Sequence, residues 1–335
     1  MRDPGRAETF SSIVGRKKEV AYLQDAIRAN KISHAYIFGG EKGSGKRLLA
    51  SLFAMTLQCE RHETEPCQVC PSCRRFLSGN HPDIRYVSHQ KPNSIGIDEI
   101  RSQLVDDVEI RPYDSKYKIY IVDEAQKMTV QAQNALLKTI EEPPEYAVII
   151  LLAENPDALL PTVLSRCVRL DLKPVSESEI KEFLMTQMHI PDYQAEVEAT
   201  FAQGNIGTAK KIAESRDFIE MMDRAVYLLK RSRDMSIADM LDELHSFSEE
   251  KRNIYEYLDI FEMWFRDVLA FKATRDADSL IFQNEVHAII DRAEVSSYEG
   301  LEKIIEAIGT ARTRLKANVN FDLTLELMMM TMKEN

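Results

Sequence analysis

A seven-residue run, Gly40-Glu-Lys-Gly-Ser-Gly45-Lys46, limits what this chain can fold into more than any other feature. It fits the pattern G-x-x-x-x-G-K. It follows Ala35 to Phe38, which reads as a short buried strand. It opens a helix from Arg47 to Leu57, with apolar residues at 48, 49, 52, 53 and 57. Strand, glycine turn and helix in that order let backbone N–H groups wrap a phosphate. The helix N-terminus adds a favourable dipole, and Lys46 adds charge. Gly40, Gly43, Gly45 and Lys46 are therefore candidate nucleotide-binding residues. The next position normally carries Ser or Thr, whose hydroxyl binds Mg²⁺. Here it is Arg47, which cannot ligate a cation. ATP or ADP binding at this loop is thus in doubt, and productive hydrolysis more so.

The surrounding sequence alternates strand and helix over the first 170 residues. Lys118 to Val122 reads as a second strand, and Asp123-Glu124 follows it. An acidic pair at a strand end is where such a fold places its magnesium partner and its water-activating carboxylate. Thr129 reads as the N-cap of a helix that Pro143-Pro144 ends. Ala147 to Leu152 reads as a third strand, apolar throughout, as a strand buried on both faces should be. This alternation predicts an α/β P-loop core, a parallel sheet flanked by helices.

Four of the five cysteines fall in one stretch, Cys59, Cys67, Cys70 and Cys73, spaced C-x7-C-x2-C-x2-C. Thiolates two residues apart on a tight knuckle can share one tetrahedral ion, and four sulfurs close the coordination sphere. The expectation is a structural Zn²⁺; free thiols or an iron–sulfur cluster are the alternatives. Cys167 stands alone, which argues against a disulfide framework.

The net charge is −11, so strong DNA binding by the chain alone is not expected. The start, MRDPGRAETF, lacks the apolar stretch of a secretory signal. The longest apolar run, 147–153, is far short of the roughly 20 residues that cross a bilayer. These features predict a cytoplasmic protein with no membrane partner.

Composition shifts near Pro174. Ser176-x-x-Glu179 is a capping box opening a helix with Ile180, Phe183 and Leu184, and Gly204 and Gly207 punctuate the next turn. Beyond about 216 almost every apolar residue recurs at helical spacing. The expected organisation is a P-loop core at 1–174 with a zinc module at about 59–80, a small helical lid at 175–213, and an all-helical collar or oligomerisation domain at 214–335. Met328, Met329, Met330 and Met332 suggest either an adaptable binding surface or a helix packed in its own bundle; the second is preferred.

Read together, VGR at 14–16, HAYIFGGEKGSGK, the four cysteines, IYIVDEA, NALLKTIEEPP and LPTVLSRC resemble the bacterial sliding-clamp loaders, members of the AAA+ class. The resemblance is strong over residues 10–215 and weaker to the end, through the run 318–326. It implies a hetero-pentamer with gamma/tau and delta subunits. That assembly loads the sliding clamp onto primer-template DNA for a holoenzyme that is a DNA-directed DNA polymerase. Two subunit types share this layout: a gamma/tau motor that hydrolyses ATP, and a rigid stator that does not. Arg47, the glycine at 207 where the motor carries a second sensor arginine, and the atypical first sensor at Glu154-Asn155 point to the stator. A tau-type chain is also expected to run on past residue 335. The resemblance gives Ser165-Arg166 a role. Arg166 resembles an arginine finger that reaches the γ-phosphate held by a neighbouring subunit. The alternative is an active motor of the gamma/tau type.

Overall fold

The structure is a computed structural model that describes residues 9–88, 91, 93–247, 254–277 and 279–335. The chain divides into two compact units. One comprises residues through Ile180 together with Gly204–Thr208; the other comprises Lys181–Gln203 and Ala209–Asn335.

The first unit contains α1 (Lys17–Arg28), β1 (Ala35–Gly39), α2 (Lys46–Leu57), α3 (Pro71–Leu77), β2 (Ile84–Val87), α4 (Ile97–Ile100), β3 (Lys118–Val122), α5 (Val130–Glu141), β4 (Ala147–Ala153), α6 (Pro161–Leu164) and β5 (Val168–Asp171). A π-helical turn, Arg101–Val105, follows α4. The five strands form one sheet in the order β2-β3-β4-β1-β5, and every pairing is parallel. The expected α/β fold is therefore present.

Alternation along the central strands explains the two cores. Tyr36, Phe38, Ile119, Ile121, Val148, Ile150 and Leu152 pack with Leu49 and Phe53 of α2 on one face. Ala35, Ile37, Tyr120, Val122, Ile149 and Leu151 pack with Leu136 and Ile140 of α5 on the other. Each central strand is buried on both faces, which is why it reads as an unbroken apolar run. The two strands the sequence reading did not identify, β2 and β5, are the sheet's edges. The caps fall as expected. The Thr129 hydroxyl accepts from Ala132 N at 3.2 Å, and Ser176 and Glu179 cap each other's backbone N–H groups.

The helices that follow are α7 (Glu177–Gln187), α8 (Asp192–Ala202), α9 (Ile206–Glu214), α10 (Arg216–Arg231), α11 (Ile237–Phe247), α12 (Ile254–Thr274), α13 (Val286–Val295), α14 (Tyr298–Lys316) and α15 (Phe321–Glu334). The segment 175–213 is shared between the units, and Val197, Phe201 and Ile212 pack into the same core as α10, α12, α14 and α15. That core is built around Trp264, Phe261 and Phe265 of α12. Met328, Met329 and Met332 are buried in it, and Met330 is exposed. The methionines thus serve mainly their own bundle.

Candidate functional site

Parallel topology brings the carboxyl ends of β1, β3 and β4 to one edge of the sheet, where open α/β folds place ligands. Gly40 (φ 148°), Gly43 (φ 91°) and Gly45 (φ 93°) turn the chain there through left-handed backbone that side chains disfavour. Lys42, Gly43, Gly45, Lys46, Arg47, Asp123, Glu124 and Glu154 line a cleft of about 460 Å³. The structure thus gathers Gly43, Gly45, Lys46, Asp123 and Glu124 around one space, with Gly40 at the loop's start.

Two cations of this cleft, Lys46 and Arg47, already face protein acceptors. Lys46 Nζ donates to the carbonyls of Gly40 at 2.6 Å and Glu41 at 2.9 Å. Burial pushes its ammonium below the ordinary lysine value, against the opposing pull of Glu154, Asp123, Glu124 and Glu41. Arg47 lies where the magnesium-binding hydroxyl would stand. Its Nη1 is 3.7 Å from Asp123 Oδ2, and its guanidinium stacks over Tyr86 at 5.4 Å. Lys127 pairs with Glu124 at 2.8 Å. Both members of the acidic pair therefore face protein cations.

The loop is also held from behind. Asn205 Nδ2 donates to Lys42 O at 2.8 Å, and Gly207 N donates to Gly43 O at 3.0 Å. A Cβ on Gly207 would lie 2.7 Å from Gly43 Cα and 2.8 Å from Gly43 O, so no side chain fits there while the loop keeps this position. Arg16, of the VGR run, is buried and donates to Ser44 O at 3.2 Å and to Lys173 O. Asn155 caps its own turn by accepting from Asp157 N at 3.1 Å.

Ser165 and Arg166 follow α6 and do not line this cleft. The Arg166 guanidinium donates through Nη1 to Thr162 O at 3.0 Å and to Ser165 Oγ at 3.2 Å, and through Nη2 to Glu141 Oε1 at 2.9 Å. Its side chain is 39% exposed, so it can be reached from outside the chain. Burial pushes the neighbouring Cys167 thiol up to about 12, which keeps it unreactive.

The four cysteine sulfurs lie within 4.8 Å of one another. Four sulfurs bound to one tetrahedral ion at about 2.3 Å stand about 3.8 Å apart, so the cluster can share a metal ion with small side-chain adjustments. Backbone N–H groups already point at the sulfurs: Cys67 N to Cys59 Sγ, Cys70 N to Cys67 Sγ and Cys73 N to Cys70 Sγ, each at 3.4 Å. Gln68 takes a left-handed φ of 60°, which makes the knuckle between Cys67 and Cys70. Burial raises the Cys67 thiol, but the N–H groups of Val69 and Cys70, together with hydrogen bonds from the Cys59 and Cys70 side chains, outweigh it and hold the thiol down at about 6. Burial raises Cys59 and Cys73. The module is tied to its surroundings by Glu65, which accepts from Phe10 N and Gln24 Nε2, both at 2.9 Å.

Comparison with known proteins shows the family of the chain. Residues 15–176 match the family described as DNA polymerase III, delta subunit, and residues 229–334 match its C-terminal counterpart. The DNA polymerase III subunit delta' of Bacillus subtilis is 31% identical over 316 residues, covering 93% of this chain and 94% of that one. The chain belongs to the delta-prime family of DNA polymerase III subunits. The tau subunit of B. subtilis is 28% identical, and the match covers 93% of this chain but 59% of tau. A gamma subunit-related protein of Thermotoga maritima is a structural neighbour with TM-score 0.43 and 20% identity, covering 93% of this chain and 98% of that one.

Three features of the site escaped sequence reasoning. Asn205 and Glu141 act across 163 and 25 positions of sequence, and only the fold brings them to Lys42 and Arg166. The third is a buried Ser72–His81–Asp83 array that resembles a catalytic triad in composition alone. Asp83 donates its backbone N–H to His81 Nδ1 at 3.2 Å, so the ring proton sits on Nε2, 3.0 Å from Ser72 Oγ. That tautomer cannot take a proton from the serine through Nε2, and all three residues are buried. The array joins the cysteine module to β2.

Proposed function

We propose that this chain is the non-hydrolysing stator of a clamp loader and contributes an arginine to an ATP site held by a neighbouring subunit. The observation that carries the reading is Arg47. It replaces the magnesium-binding hydroxyl and faces Asp123 at 3.7 Å, while Arg166 sits exposed on a different corner. A cleft without that hydroxyl, and without room for a side chain at Gly207, has lost two groups that γ-phosphate chemistry requires. The arginine corner has lost nothing: Arg166 keeps its charge, its exposure and unused donors.

In this reading the chain joins gamma/tau and delta subunits in a hetero-pentamer. The assembly opens the sliding clamp and places it on primer-template DNA. The net charge of −11 fits a subunit that meets DNA through its partners and not by its own surface. The cysteine cluster holds one structural Zn²⁺, with all four positions filled by sulfur and none open to substrate. Among the described residues no helix is long and apolar enough to cross a membrane, and the proposed location is the cytoplasm. The lid and collar assignments, 175–213 and 214–335, belong to the same proposal.

The test is ATP turnover by the isolated chain and by the reconstituted loader, each with native protein and Arg166→Ala. The isolated chain is expected to be inert, and the variant to depress turnover of the assembly. Magnesium-dependent turnover by the isolated chain would make it a motor and overturn the reading. Metal analysis of the purified chain is expected to find one zinc per molecule. Its removal by a chelator is expected to lower the melting temperature, because metal-binding energy in such modules is folding energy.

A further inference from the structure

Arg166 is not left to find its own pose. Its guanidinium has five N–H donors. Two on Nη1 go to Thr162 O and Ser165 Oγ, and one on Nη2 goes to Glu141 Oε1. Two donors remain, on Nε and Nη2, for an acceptor arriving from outside. The first two contacts are local, from the turn that carries the arginine. The third is different in kind, since Glu141 is the last residue of α5 and belongs to a rigid element packed on the sheet through Leu136 and Ile140.

The position of Glu141 is costly to its own helix. A carboxylate at a helix C-terminus sits against the negative end of the helix dipole, and Glu142 follows it there. Helix stability alone gives no reason for an anion at this place. Among the described residues it pairs with Arg166, and both side chains are about half exposed. A pair that open to solvent is weak and screened. It therefore orients the arginine without preventing a polyanion of higher charge from engaging the remaining donors.

We propose that Glu141 is a positioning residue for Arg166: it holds the guanidinium so that its two free donors face out of the chain, ready for the γ-phosphate of a nucleotide bound to a neighbouring subunit. The proposal rests on the reading of Arg166 as a finger acting in trans, and it adds the residue that aims it. Glu141 touches neither nucleotide nor reacting atoms. Its effect is confined to the fraction of time Arg166 spends in the productive pose.

The experiment compares native chain, Glu141→Gln, Arg166→Ala and the double variant in the loader reconstituted with its gamma/tau and delta partners, reading kcat and KM for ATP. Co-elution of the subunits and the melting temperature of the chain are read alongside. Glu141→Gln is expected to lower kcat about tenfold with KM within about twofold, because a mis-aimed finger weakens the transition state and not ATP binding. In the Arg166→Ala background the same substitution is expected to change nothing, since the group it positions is gone. The melting temperature is expected to stay level or rise slightly, as a charge leaves the helix C-terminus. Native turnover in Glu141→Gln beside a collapse in Arg166→Ala would overturn the positioning role and leave the finger standing. Faster turnover in Glu141→Gln would show a restraint in place of an aim, and a lower melting temperature with kcat reduced would show a structural pair; either overturns the proposal. Native turnover in Arg166→Ala would remove the finger itself, and the positioning role with it.

Discussion

The P-loop cleft and the arginine corner both present basic side chains, yet they spend them differently. In the cleft, Lys46 is bonded to two loop carbonyls and Arg47 faces Asp123. Asn205 and Gly207 hold the loop from behind. The charges of Lys46 and Arg47, which face the cleft, meet protein acceptors there. At the corner, Arg166 is steadied by three acceptors and still has donors in reserve. On the proposed reading, a P-loop fold loses the use of its own pocket while keeping a second site, because the two lie on different elements and share no side chain.

Substitutions at Arg166 and Arg47 separate the two regions most clearly. Arg166→Ala should lower turnover of the assembled loader by about 10³-fold, the lower end of what an arginine supplied in trans contributes in GTPases. Arg47→Thr should leave assembled turnover within about twofold of native. It restores the hydroxyl and should let the isolated chain bind ATP with magnesium, measurable by calorimetry. It should not produce turnover, since position 207 still lacks an arginine. Equal effects of the two substitutions in the assembly would erase the distinction between the regions.

Gly207→Arg sharpens the same contrast through stability. It would restore the residue a motor carries, but its Cβ meets Gly43 backbone atoms at 2.7 and 2.8 Å. Backbone cannot swing aside as a flexible side chain can, so the expected loss is about 3 kcal/mol in denaturant unfolding of the chain. A variant as stable as native would mean the loop yields readily and is not fixed in a closed pose. Asn205→Ala removes a milder version of the same restraint. It breaks the bond to Lys42 O and the cap on Thr208 N at 3.1 Å, and about 1 kcal/mol should be lost.

What could be read from sequence follows the same physical lines. β1, β3 and β4 were legible because burial on both faces demands apolar residues at every position. β2 and β5 were not. They are four-residue edge strands carrying Arg85 and Arg169 among their apolar residues, and four positions are too few for an alternation to stand out. The phosphate loop and the cysteine knuckle were legible because each is a local backbone device with a fixed spacing. The restraints on the loop were not: Arg16 falls in a run that carries the resemblance, but neither it nor Asn205 shows in the sequence which loop carbonyl it meets. Gly207 could be seen as a missing sensor arginine, but not as a glycine required by Gly43. That requirement is a distance, and only the fold supplies it.

The smallest expected effect concerns Ser165, the local half of the arginine's support. Its hydroxyl donates to Thr162 O at 3.2 Å and accepts from Arg166 Nη1 at 3.2 Å. Ser165→Ala removes one acceptor and leaves Thr162 O and Glu141 in place. Both remaining contacts hold the guanidinium at opposite ends, so its pose should widen without shifting. Turnover of the assembled loader should fall about twofold, with KM for ATP unchanged. A loss as large as that of Arg166→Ala would mean that the hydroxyl itself meets the neighbouring site. The serine would then share the arginine's role instead of steadying it, and the corner would hold two functional groups against none in the cleft.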